Sequence, residues 1–433
     1  MTTPQTTEVR GTALAARAAG GKLARLGGEG RAALLRALAK ALGEETHRAA
    51  ILAANVEDVA RAKAEGVAPA LAKRLGIDGK KLDGLVDGLQ QLAAMPDLVG
   101  RATLRRELDD GLVLERVSCP LGLLGVVFES RPDALVQIVG LAWKSGNAVL
   151  MKGGREATAT NRALIALVHG VLERHGIDPR AAVLLAGRED VAVVLGLHGI
   201  VDLVVARGSS EFVRYIQGNT RIPVMGHAAG VCHVYLHRAA DPVMAAKVVV
   251  DGKTTYAAAC NATEALLWEP EAAAALDACV AALAEAGVEM RADEETRKRH
   301  PKLVAAQDSD FGFEFGAPII AVKQVRDLEG ALAFIDAHGS RHTEAIITED
   351  EAAAERFLAE VDAAGVYHNA STRFADGYRY GLGAEVGIST DKLHARGPVG
   401  VDGLLTYRWL LRGEGQLTAS YGPGGKKFKH RDL

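Results

Sequence analysis

Cysteine is scarce in this sequence. Four stand in 433 residues, Cys119, Cys232, Cys260 and Cys279. They form no CxxC pair, and no Cys/His cluster has zinc spacing, so no metal site is expected. Free thiols in a reducing cytoplasm are the expectation. Charge of one sign is lacking too: the formal net charge is −3, which points to no nucleic acid and no charged membrane surface. No apolar run approaches the roughly 20 residues that span a bilayer. The N-terminal MTTPQTTEVR has no basic region followed by an apolar core, so no signal peptide is expected. Aromatics are only 5% of the chain, while Gly numbers 48. A GC-rich coding bias accounts for that and implies no function.

What is present is enough chain for two or three cores. The first hundred residues carry apolar positions at helical spacing: Gly30 to Leu42, Glu44 to Lys63, and Lys80 to Met95, ended by Pro96. The period then changes. Residues 103–117 read as a hairpin, LRREL and LVLERV around Asp109-Asp110-Gly111. From Pro120 short apolar runs alternate with helices: LGLLGVVF, 147–151, AAVLLA, VDLVVA and VCHVYL. A second series follows Asp241, with strands EALLW, PIIAV, EAIIT and VYHN. Such alternation predicts an α/β fold with two parallel sheets covered by helices.

No GxGxxG follows the first strand, so the usual dinucleotide fingerprint is missing. MKGGREAT (151–158) suits an anion better. It joins a strand to a helix, Gly153 and Gly154 admit a close ligand, and Lys152 and Arg155 bring charge. A plain turn with solvated cations explains it equally well. Arg207-Gly208-Ser209 is a second such turn. Cys260 lies in YAAACNATEALLW (256–268). The window alone favours packing over a nucleophilic thiol.

Taken together, several stretches resemble the γ-glutamyl phosphate reductase family, a branch of the aldehyde dehydrogenase superfamily. They are VVFESRPDALVQI (126–138), SGNAVLMKGGREA (145–157), ARGSSE (206–211), PVMGHAAGVCHVY (223–235), AACNATEALL (258–267), GSRHTEAI (339–346) and NASTRFADGYRYGLGAEVGISTDKLHARGP (369–398). Phe334 and Ala206 depart from the usual pattern.

The resemblance implies an aldehyde dehydrogenase-like fold. Residues 1–103 and 119–239 would bind cofactor, 240–397 would form the catalytic domain, and 104–118 with 398–433 would be an oligomerisation hairpin and tail. It implies NADPH-dependent reduction of L-glutamyl 5-phosphate to the semialdehyde, in proline biosynthesis. Cys260 would be the nucleophile, with Asn261 or Ser130 as second oxyanion donor beside the Cys260 N–H. Lys152, Gly153, Gly154, Arg155, Arg207, Gly208, Ser209 and Glu314 would hold the cofactor. Arg131, Asn369, Ser371, Thr372, His394 and Arg396 would hold the substrate. A homo-oligomer is implied, as is a glutamate 5-kinase that hands over the labile acyl phosphate. The water-activating Glu of oxidising relatives is replaced by His227. This weighs against the alternative, an NAD(P)-dependent oxidation of a semialdehyde to an acid. A non-catalytic partner of a kinase is the reading from another class, and an intact Cys260 window argues against it.

Overall fold

The computed structural model describes residues 4–67, 72, 74–129, 131–187, 189–392 and 394–433. Among the described residues, the helices Pro4–Arg25, Gly27–Gly43, Glu45–Ala64 and Gly79–Ala94 open the chain. Their apolar faces bury Leu23, Leu34, Leu35, Leu38 and Leu89 in one core with the first sheet. The three- and four-residue spacing read from the sequence is this buried stripe.

The hairpin is strands β1 (Ala102–Asp109) and β2 (Leu112–Pro120). Its two-residue turn places Gly111 at φ +66°, a conformation that costs glycine little. The first parallel sheet follows. It contains β3 (Leu123–Phe128), β4 (Ala148–Lys152), β5 (Ala182–Leu184), β6 (Leu203–Arg207) and β7 (Val224–Met225), in the order β5-β4-β3-β6-β7. Strand order therefore reverses between β3 and β6. In open parallel sheets, ligands bind past the carboxyl ends of strands at such a reversal.

The second parallel sheet has seven strands: β8 (Cys232–Leu236), β9 (Thr263–Trp268), β10 (Glu289–Ala292), β11 (Val304–Ala305), β12 (Ile319–Gln324), β13 (Thr343–Ile347) and β14 (Gly365–His368). Their order is β11-β10-β12-β9-β8-β13-β14. Every residue of β8 and β9 is buried, which explains their continuous apolar reading.

Two domain boundaries differ from the sequence expectation. Strand β8 was expected to end the first series, but it pairs with β9 and β13 inside the second sheet. The chain therefore crosses over before Cys232, not at residue 239. The end of the expected catalytic segment also returns to the first core, where Val386 and Val399 are buried with Leu124 and Leu135. That return includes the two-stranded β15 (Gly387–Ser389) and β16 (Gly397–Val399). Strands β17 (Leu405–Arg412) and β18 (Arg431–Asp432) then flank the hairpin, giving β17-β2-β1-β18.

Candidate active site

The carboxyl ends of the first sheet face the loops that enter the second. Between them lies a cleft of about 610 Å³ lined by Arg131, Arg207, His227, Cys260, Glu314 and Glu385, among others. Two short loops, 226–228 and 256–261, line its far side, and a third, before β13, packs behind them. Gly230 precedes β8, Cys260 precedes β9, and His342 precedes β13.

Gly230 explains how tightly these loops pack. A Cβ there would stand 1.9 Å from the carbonyl oxygen of Cys260. Only glycine fits that approach without a backbone shift. The Gly230 N–H donates to Glu314 Oε2 at 3.0 Å, so this acid is held close to the nucleophile loop. Asn261 is buried and donates to Ala375 O at 2.8 Å. That bond ties the Cys260 loop to the segment after β14 and leaves one amide hydrogen of Asn261 uncommitted. The backbone N–H of Cys260 makes no hydrogen bond among the described residues, so it is open to the cleft chemistry. Ser130, the other expected donor, lies outside the described residues.

Cys260 is the cysteine in the cleft lining. Burial pushes the thiols of the other three up, that of Cys279 to about 12. Donor atoms of Cys260, His227 and His342 lie within 4.8 Å of one another. His227 donates Nδ1–H to the Ile388 carbonyl at 3.0 Å, which leaves its Nε2 with a lone pair. The two imidazoles meet edge to face, with centroids 5.1 Å apart. The sequence reading noticed His227 only as a replaced Glu and missed His342. The signal was its place in GSRHTEAI.

A larger groove of about 1050 Å³ runs over the ends of β3, β4 and β5, lined by Lys152, Gly153, Gly154, Arg155, Glu156 and Arg180, among others. Phe128 and Glu129 line both groove and cleft, so the two adjoin. A Cβ on Gly153 would meet Asn161 Nδ2 at 2.3 Å, and one on Gly154 would meet Glu156 Oε1 at 2.0 Å. Burial pushes the Lys152 ammonium down, against the pull of Glu156 and Asp190. Arg155 is exposed and pairs with Glu65 at 3.1 Å. Gly208 and Ser209 line the cleft, with Ser209 N–H on Glu129 Oε2 at 3.2 Å. Ser209 also caps the helix Ser210–Gly218.

Five of the six expected substrate ligands stand away from this cleft. Asn369, at φ +54°, bonds Thr348 through both ends of its amide. Ser371 caps a short 3₁₀ turn, and the buried Thr372 hydroxyl meets Thr263 at 3.1 Å. His394 bonds the Gly403 carbonyl. Arg396 pairs with Asp362 at 2.8 Å. Arg131 alone of the six lines the cleft. The charges that accompany it were missed: Glu129, Arg373, Asp376 and Glu385. Each lies in a stretch already quoted for its resemblance.

No family model matches the chain. Curated relatives do. A γ-glutamyl phosphate reductase of Parasynechococcus marenigrum is 53% identical over 404 residues, covering 93% of this chain and 92% of the relative. The chain belongs to the γ-glutamyl phosphate reductase family. The same-named protein of Synechococcus elongatus is 49% identical over 422 residues, 97% of each chain. The crystal structure of γ-glutamyl phosphate reductase from Thermotoga maritima superposes with a TM-score of 0.91 at 34% identity, over 95% of this chain and 99% of that one. A probable aldehyde dehydrogenase from Listeria monocytogenes gives 0.68 at 15% identity, over 96% and 98%. The family's fold is thus that of the aldehyde dehydrogenases.

Proposed function

We propose that this enzyme reduces L-glutamyl 5-phosphate to L-glutamate 5-semialdehyde and phosphate with NADPH, through a thioester on Cys260, in proline biosynthesis. The observation that carries this reading is the position of Cys260: a thiol just before β9 that lines the cleft adjoining a groove large enough for a dinucleotide. Its thiolate attacks the acyl carbon, a C–S bond forms, and the C–O bond to phosphate breaks. Phosphate leaves with that electron pair. The imidazoles of His227 and His342, each with a ring nitrogen within 4.8 Å of the thiol, would take its proton. The Cys260 N–H holds the developing oxyanion. A bound nicotinamide would supply the hydride. Collapse of the hemithioacetal then returns the thiolate and frees the aldehyde.

Lys152, Gly153, Gly154 and Arg155 would hold the adenosine side of the cofactor, with Gly208, Ser209 and Glu314 nearer the nicotinamide; Arg207, expected with them, stands beside Arg131 on the wall shared by the cleft and a smaller cavity. The groove that adjoins the cleft fits an extended dinucleotide. NADPH over NADH is read from Arg155, whose guanidinium suits a 2′-phosphate. Arg155→Glu is expected to weaken NADPH by about one to two orders of magnitude, some 1.4 to 2.8 kcal/mol, with NADH less affected. Equal weakening of both, by fluorescence titration, would remove Arg155 from that role.

Reduction requires that water spare the thioester. The cleft does contain carboxylates, but each is engaged by a backbone N–H. Glu129 accepts from Ser209, Glu314 from Gly230, Glu385 from Gly377 and Asp376 from Tyr378. At position 227, where oxidising relatives carry the water-activating Glu, this chain has His. His227→Glu should supply that base and let the thioester hydrolyse, by roughly a hundredfold or more in that step. NADPH oxidised per phosphate released should fall well below one in the variant. A wild-type ratio already far below one would contradict the reading.

Assembly of identical copies is supported by edge strand β17, where Tyr407, Trp409 and Leu411 are exposed. No described helix is long and apolar enough to cross a membrane, and a cytoplasmic site of action is proposed, with a glutamate 5-kinase supplying the short-lived substrate. The function is tested by NADP reduction with pyrroline-5-carboxylate. Turnover should require phosphate; turnover without it would favour oxidation to an acid.

A further inference from the structure

A second cavity of about 310 Å³ adjoins the cleft, and the two share Arg131, Arg207, Asp376 and Glu385. Two cations and two acids therefore stand on the partition between the nucleophile's cleft and a small side chamber. Such a mixture is unusual in a site that handles an acyl phosphate. Phosphate calls for cations, and the acids would repel it. The acids need another purpose.

Their anchoring supplies one. Glu385 Oε2 accepts from Gly377 N at 2.8 Å, and Asp376 Oδ1 accepts from Tyr378 N at 3.0 Å and Arg379 N at 3.2 Å. No ion pair to either carboxylate occurs among the described residues. Each is fixed in place by one oxygen, and its charge is not neutralised by a partner within ion-pair distance. Arg207 is in the complementary state. Its Nη1 is buried and without a hydrogen-bond partner. Arg373, on the same wall, has a buried, unpartnered Nε. Buried guanidinium nitrogens without a partner are costly unless a ligand satisfies them, and the half-buried Glu385 and Asp376 stand beside them with no ion-pair partner among the described residues.

We propose that this partition is a clamp for a free α-amino acid head group: Glu385 and Asp376 take the α-ammonium, and Arg207 with Arg131 takes the α-carboxylate. This deepens the proposed function and rests on it for the identity of the acyl chain. The reach is consistent. A glutamyl α-carbon is three C–C bonds of about 1.5 Å from the acyl carbon, and Arg207 and Arg131 line the same cleft as Cys260. Burial, with Arg131 beside it, pushes the Arg207 guanidinium below its ordinary range, and burial pushes the Glu385 carboxyl up. Both are effects that a zwitterion of matching sign would relieve. The clamp also explains specificity. A simple C5 semialdehyde acid without the ammonium would leave the Glu385 and Asp376 carboxylates without a cation to answer them.

The test uses protection of Cys260 in the full-length enzyme against iodoacetamide. L-Glutamine and glutaramate share a carboxylate, a chain and a neutral γ-amide, and differ only in the α-ammonium. Glutamine is expected to protect at a concentration about tenfold or more below glutaramate. Glu385→Gln and, separately, Asp376→Asn should each shrink that ratio to about threefold or less. Equal protection by the two ligands in the wild type, no protection by either, or an undiminished ratio in both variants would overturn the clamp. The wild-type comparison stands even if a variant fails to fold. The outcome is also separable from the reaction itself. A preference for glutamine without phosphate-dependent turnover would sink the reductase reading and leave the clamp, and turnover without the preference would do the reverse.

Discussion

Cys260→Ser is expected to lower turnover by roughly a thousandfold or more, about 4 kcal/mol of barrier, while cofactor affinity stays as in the wild type. A serine hydroxyl at this site is a poor nucleophile toward an acyl phosphate and a poor leaving group from the product hemiacetal. None of the other thiols can substitute. Cys232 and Cys279 are fully buried, and burial holds their thiols protonated. Cys119 sits at the end of β2, paired in register with Thr406 of β17 and outside the cleft lining. Activity of Cys260→Ser within tenfold of wild type would take the thiol out of the mechanism.

Gly230→Ala is expected to cost at least about a hundredfold in kcat/KM, with measurable destabilisation. The new methyl would overlap the Cys260 carbonyl oxygen, 1.9 Å from the ideal Cβ. Backbone cannot yield as a flexible side-chain end does, so the nucleophile loop must move. A displacement near 1 Å at reacting atoms is worth about a hundredfold in rate. The same shift would loosen the Gly230–Glu314 bond. Kinetics and thermal melting of this single variant check the claim. Wild-type behaviour in both would mean the loops are less tightly coupled than they look.

Much of the architecture was legible because it is written in local pattern. The hairpin showed through alternation around Asp110-Gly111, and β3, β8 and β9 showed through continuous apolar runs. The sheet to which β8 belongs was not legible. Its neighbours β9 and β13 lie across crossovers, and pairing over such separations leaves no mark in the strand itself. The site divides the same way. Residues on short turns at strand ends, such as Lys152, Gly153 and Arg207, line the groove or cleft, and so does Cys260, whose window alone favoured packing. The segment 369–398 is mostly irregular, and there side-chain direction depends on distant partners. Arg396 turns to Asp362, whereas Glu385 and Asp376, equally inconspicuous in sequence, line the cleft. A motif identifies such a segment without saying which of its charges face the ligand.

The central claim is a covalent acyl group on Cys260. It is tested most directly by mixing the enzyme with glutamate kinase, glutamate and ATP in the absence of NADPH, quenching in acid, and analysing peptides by mass spectrometry. The account expects a glutamyl adduct on the peptide that carries Cys260, discharged when NADPH is added before the quench. NADPH oxidation and phosphate release that proceed with no such adduct, or an adduct on a different residue that NADPH discharges, would contradict it.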